Sequence, residues 1–155
     1  MAGATRNSGD ISRPVSIMLP RPWFEKYVGL PFVDGGRDFN GVDCWGLVRL
    51  ALLNERGVEV PSYGETSALD LASVAGIVAH ESSVDPWSQV IQEIRPFDVA
   101  VMYRHRAPVH IGIMATNTML LHVEVTTHTC LVKLDSPFIS FRKPMIFRHR
   151  ILLNA

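Results

Sequence analysis

Two periodicities divide the chain. From residue 44 to residue 80 apolar positions recur at three- and four-residue intervals; from residue 87 onward they alternate. Leu47, Val48, Leu50, Ala51 and Leu52 predict a helix that opens at Cys44, runs to about Arg56 and stops at Gly57. Leu69, Leu71, Val74, Ala75 and Val78 predict a second, over 68–80, capped by Thr66 or Ser67, with these side chains as core. Trp23 to Val28 reads as a short helix with Pro22 in its first turn. Alternation then predicts strands at Trp87–Ile91, Val99–Tyr103, Val109–Met114, Met119–Val125 and Cys130–Leu134, and a last edge strand at Ile146–Leu152. Helices first and strands after give an α+β class: N-terminal helices packed on an antiparallel sheet of about five to six strands. Residues 1–20, small, polar and proline-punctuated, read as an extended arm, and 21–155 as one domain.

Composition narrows the function classes. The 155 residues suffice for one core, and 47% of them are hydrophobic. Fifteen acidic and fifteen basic residues balance, so nothing advertises a nucleic-acid partner. No apolar run approaches 18 residues, so no membrane insertion is expected. The first ten residues lack an apolar centre, so no signal peptide is expected, and export by another carrier follows. Two cysteines outside any C-x-x-C pair suggest no disulfide framework.

The chemistry gathers at a loop that becomes a helix. Asp34-Gly35-Gly36-Arg37-Asp38-Phe39-Asn40-Gly41 is turn-prone and runs into Val42-Asp43-Cys44-Trp45-Gly46. Unpaired N–H groups at a helix start favour thiolate over thiol. The same position suits a small buried hydrophobe. On the strands, His110 shares a face with Gly112 and Met114. If the Ala115–Asn117 turn centres on Thr116, His110 faces His122 at a Cβ separation of roughly 5 Å. A thiol and two adjacent imidazoles suit nucleophilic acyl transfer: one ring takes the thiol proton, the other orients it.

These residues resemble the NlpC-type cell-wall peptidases, a papain-like group of cysteine hydrolases. The shared marks are Gly35-Gly36, Asp43-Cys44-Trp45-Gly46-Leu47-Val48, His110-Ile111-Gly112-Ile113, His122, and the turn Pro96-Phe97-Asp98-Val99. The resemblance covers roughly residues 23–135. It implies a papain-like fold with Cys44 as nucleophile, His110 as base and His122 as orienting residue. It places Phe32, Gly35, Gly36, Asp43 and Trp45 at the substrate. Three positions depart from the pattern. Phe32 stands where a tyrosine helps bind the oxyanion, Trp45 where serine is common, and Phe97 where glycine is common; Tyr27 and Tyr63 are the candidate replacement donors. Asp-Cys-Trp-Gly-Leu-Val-Arg is most similar to the branch found in tail-tip and tail-assembly proteins of tailed bacteriophages. The implied substrate is the peptidoglycan stem peptide, cut between D-glutamate and diaminopimelate. The implied partners are other tail-tip proteins, with delivery by the virion to the bacterial cell wall. No cofactor is implied. The alternative is a structural or assembly protein of the tail tip with little hydrolysis.

Other clusters carry less. His122, Glu124, His128 and Cys130 would share a face only on one unbroken strand, and Thr126-Thr127 reads as a turn, so no metal site is assigned. Cys130 reads as core. Arg104, His105 and Arg106 form a basic loop, suited either to a peptide carboxylate or simply to solvent.

Overall fold

The computed structural model describes Gly3 and residues 18–155; most of the expected arm lies outside the described residues. The elements follow in chain order. A 3-10 turn at Glu25–Tyr27 precedes β1 (Arg37–Asp38) and β2 (Gly41–Val42). Next come α1 (Cys44–Arg56), α2 (Leu71–Ser83), β3 (Trp87–Val90), β4 (Val99–Arg104) and β5 (Ala107–Met114). The chain ends with β6 (Met119–His122), β7 (Cys130–Lys133), α3 (Pro137–Ser140), β8 (Met145–His149) and a second 3-10 turn at Arg150–Leu152. Three helices pack on one six-stranded antiparallel sheet ordered β3-β8-β4-β5-β6-β7. The α+β expectation holds.

α1 forms because both ends are capped and one face is apolar. Asp43 accepts from the Gly46 N–H at 2.7 Å, and Gly57 closes the helix in the left-handed region at φ 64°. Leu47, Val48, Ala51 and Leu52 are fully buried, and the three larger side chains are each worth about 1.5–3 kcal/mol over exposure. They meet Val99, Val101, Ile111, Ile113, Leu121 and Val123, one face of the sheet. The opposite face, through Ala100, Met102, Met114, Leu120 and Ile146, packs on Ile139 of α3.

Four expectations need correction. α2 starts at Leu71, capped by Asp70 rather than Thr66 or Ser67. Of its expected core only Val78 is buried; Leu69 and Leu71 are 57% and 42% exposed. β8 is not an edge strand: it lies between β3 and β4, and it ends at His149. Its inward place is stabilised by Arg148, whose Nε and Nη2 each donate to the buried Asp98 carboxylate at 2.7 Å. Cys130 is exposed rather than core.

Candidate active site

α1 begins where the two-residue hairpin β1–β2 delivers the chain, and that hairpin is tied to the helix start. Asp43, almost wholly buried, accepts from the Gly35 N–H at 3.0 Å and from Arg37 Nη1 at 2.7 Å, besides capping Gly46. Arg37 Nη1 also donates to the Gly36 carbonyl at 2.7 Å. A Cβ at Gly46 would overlap that same carbonyl oxygen. The Gly35-Gly36 and Asp-Cys-x-Gly marks are therefore one packed unit that fixes where Cys44 sits. Gly35, Gly36 and Asp43, expected at the substrate, serve here as this scaffold.

Cys44 is 7% exposed. Burial, and next the Asp43 charge, push its thiol up from 9.0 to about 12; backbone N–H groups of Ile111 and Trp45 pull the other way. Of the two readings of this position, ready thiolate or small buried hydrophobe, the burial of Cys44 favours the second. Desolvation outweighs the helix start here, and the capping carboxylate adds to it.

The two imidazoles meet, by a different register from the one expected. Ile113 pairs with Leu121 and Met114 with Leu120. Continuing that ladder sets His122 opposite Gly112 and Glu124 opposite His110. The slip of two residues keeps both rings on one face. Gly112 makes the approach possible: a Cβ there would lie 3.0 Å from the His122 Cβ and 2.9 Å from the Leu121 carbonyl oxygen. His110 Nε2 and His122 Nδ1 are then 3.0 Å apart, hydrogen-bonded across the strands. His122 Nε2 lies 3.7 Å from the Cys130 sulfur.

Sequence reasoning missed two further members. Glu124 Oε1 stands 3.7 Å from His110 Nε2 and 3.9 Å from His122 Nδ1, and accepts from Arg142 Nη1 at 2.6 Å. Its place two residues beyond His122, on the same face, was the available signal. Burial lowers His110 from 6.5 to about 4; Glu124 opposes this, while His122 and Arg142 add to it. His122 is lowered likewise, first by burial. Burial thus favours the neutral form of both rings. His110, His122 and Glu124 bring one ligand atom each within 4.8 Å of one another. His128 is drawn away from them by the turn at Thr126 (φ 64°) and bridges to Pro31.

Cys44, His110, Glu124 and Phe32 all line one open groove of about 1080 Å³. Among the described residues no hydrogen bond joins Cys44 to His110. Of the three tyrosines, Tyr103 alone reaches the groove. Tyr27 donates to Glu55 at 2.6 Å and Tyr63 donates to Glu81, so both hydroxyls are committed elsewhere. Trp45 lies outside the groove: it donates to the Pro61 carbonyl at 2.7 Å and lines an apolar cavity of about 60 Å³ between α2 and the sheet. Phe97 takes a left-handed φ of 73°, which explains glycine as the commoner residue there; stacking on Trp23 at 4.4 Å offsets the strain.

No helix among the described residues is long and apolar enough to cross a membrane. No curated protein matches the chain. The chain is similar to the crystal structure of the NlpC/p60 domain of peptidoglycan hydrolase SagA, with TM-score 0.54 and 18% identity, covering 81% of this chain and 91% of that one. At that identity the likeness concerns the fold. The sequence itself matches the NlpC/P60 family over residues 29–146, from the turn at Gly29 to the start of β8, and on that span the chain belongs to this family.

Proposed function

We propose that the protein is a cysteine peptidase that cleaves peptidoglycan stem peptides at the D-glutamyl–diaminopimelate bond. The observation that carries this reading is that Cys44 and His110 line one groove, with His122 hydrogen-bonded to His110 from behind at 3.0 Å. Cys44 attacks the amide carbon. His110 takes the thiol proton and returns it to the leaving amine. His122, fixed opposite Gly112, sets the His110 tautomer: one ring nitrogen of the pair donates and the other accepts. Water then hydrolyses the thioester with His110 again as base. The backbone N–H groups at the α1 start supply the oxyanion donors in this reading.

The family supports a peptidoglycan substrate, and the SagA domain is described as part of a peptidoglycan hydrolase. We further propose that the protein works at a bacteriophage tail tip, alongside other tail-tip proteins, and opens the wall during DNA entry. The run Asp43-Cys44-Trp45-Gly46-Leu47-Val48-Arg49 supports that placement.

A second reading has its own support. The raised thiol and the absent hydroxyl at Phe32 favour a tail-tip assembly protein that hydrolyses little. Incubation with a D-glutamyl-diaminopimelate peptide separates the two. New amines that disappear in Cys44→Ala establish the peptidase; none from the wild-type protein refutes it and leaves the assembly reading standing.

A further inference from the structure

The chain is neutral overall, yet its charge is segregated at the groove. Arg104, Arg106, Arg142 and Lys143 line it, and among the described residues Glu124 is the only carboxylate there. That carboxylate is already held by Arg142 at 2.6 Å. Arg104, Arg106 and Lys143 form no ion pair among the described residues. Like charges brought together without counter-charges repel one another, so their clustering opposes folding slightly.

The backbone shows a second cost at the same place. The β4–β5 hairpin turns through His105 and Arg106, at φ 48° and 72°, and Lys143 sits at φ 47°. A turn of that form favours asparagine and glycine. Cations occupy two of these three left-handed positions, with an imidazole at the third. Each such residue is strained and persists where surrounding structure holds it. The two segments are tied together: the Tyr103 N–H donates to the Arg142 carbonyl at 2.9 Å. Ala68, Leu69 and Leu71 line the same groove, and both leucines are exposed. The groove thus joins an apolar lining to a cationic one.

We propose that Arg104, Arg106 and Lys143 form a binding rim for the free carboxylates of an acidic peptide. The rim selects substrates whose side-chain and α-carboxyl groups are not amidated. This deepens the peptidase reading and rests on it for the identity of the peptide, but the rim's recognition is tested by binding alone. Arg104 and Arg106 supply planar donor forks that match a carboxylate, and Lys143 supplies a point charge. The apolar lining takes aliphatic parts of the same peptide.

The test uses the full chain carrying Cys44→Ala, so that binding is read without turnover. Affinity for an alanyl-glutamyl-diaminopimelate peptide is compared with that for its carboxamide form by calorimetry. The free acid binds about tenfold more tightly or better per carboxylate at low salt, and the gap narrows as ionic strength rises. Adding Arg104→Gln, Arg106→Gln and Lys143→Gln removes the gap while the thermal melt stays at or above its starting value. Equal affinities, no binding of either peptide, or a gap that survives the triple substitution overturns the proposal. So does tight, salt-sensitive binding of a poly(glycerol phosphate) with no preference between the peptides. Wild-type turnover separates the two readings. Equal cleavage of acid and amide forms refutes the rim and leaves the peptidase standing. No cleavage with a preserved binding preference does the reverse.

Discussion

Cys44 carries the sharpest prediction, because two opposing effects act on one sulfur. The α1 start and two backbone N–H groups stabilise thiolate; burial and Asp43 stabilise thiol. The second pair wins, at about 12 against an ordinary 9.0. At pH 7 the thiolate fraction is then on the order of 10⁻⁵, about a thousandfold below that of an unperturbed cysteine. His110, lowered to about 4, does not hold the proton either. Burial on both sides thus favours a resting pair of neutral thiol and neutral imidazole.

Iodoacetamide alkylation measures this directly. Cys130 is exposed and would react first, so the experiment uses Cys130→Ser. The rate at Cys44 rises about tenfold per pH unit through neutrality without a plateau below pH ~10, since only thiolate reacts. His110→Ala leaves this profile in place. A plateau reached by pH ~6 and lost in His110→Ala refutes the reasoning. It would mean a preformed thiolate–imidazolium pair, and a sulfur less desolvated than its burial implies.

Acid sensitivity follows from the lowered histidines. His110 is depressed in the fold from 6.5 to about 4, so unfolded chains bind its proton first as pH falls. Its contribution is complete above pH ~6.5 and is lost between there and pH ~4, on the order of 3 kcal/mol; urea titrations across that window show the loss, and His110→Asn flattens it. Gly46→Ala drives a methyl into the Gly36 carbonyl and destabilises by about 3 kcal/mol, whereas Gly76→Ala, in an open position of α2, stabilises by about 1 kcal/mol; both are read by thermal melts. Asp98→Ala strands the buried Arg148 and costs about 3–5 kcal/mol, visible as an early urea midpoint. Phe32→Tyr restores a hydroxyl on the groove wall and raises kcat on stem peptide up to about 100-fold; an unchanged kcat removes position 32 from oxyanion binding.

Local signals were legible in the sequence; distant pairings were not. α1 was readable to its ends because Asp43 and Gly57 are neighbours of the residues they cap. The His110–His122 meeting was readable because a short hairpin joins their strands, although the register slipped by two. The place of β8 between β3 and β4 depends on a partner 50 residues away, Asp98, which no periodicity reveals. Arg142 reaches the site from beyond α3, an element of four residues too short to announce itself. α2 looked like core because its apolar residues have helical spacing, but Leu69 and Leu71 border a groove that only the folded chain creates.

Asp43, next to Cys44, holds the loop and the helix start together. Its charge opposes thiolate formation at Cys44, so electrostatics alone would argue against it there. What it does instead is mechanical. One carboxylate holds the Gly35 N–H, the Gly46 N–H and Arg37, and so joins the loop, the helix start and the guanidinium that also grips the Gly36 carbonyl. Replacing it by asparagine would keep a cap, lose the ion pair, and ease the thiol downward. A downward shift of the alkylation profile together with a lower melting temperature is therefore the expected result for Asp43→Asn. An aspartate that served substrate binding directly would change neither property in the free protein.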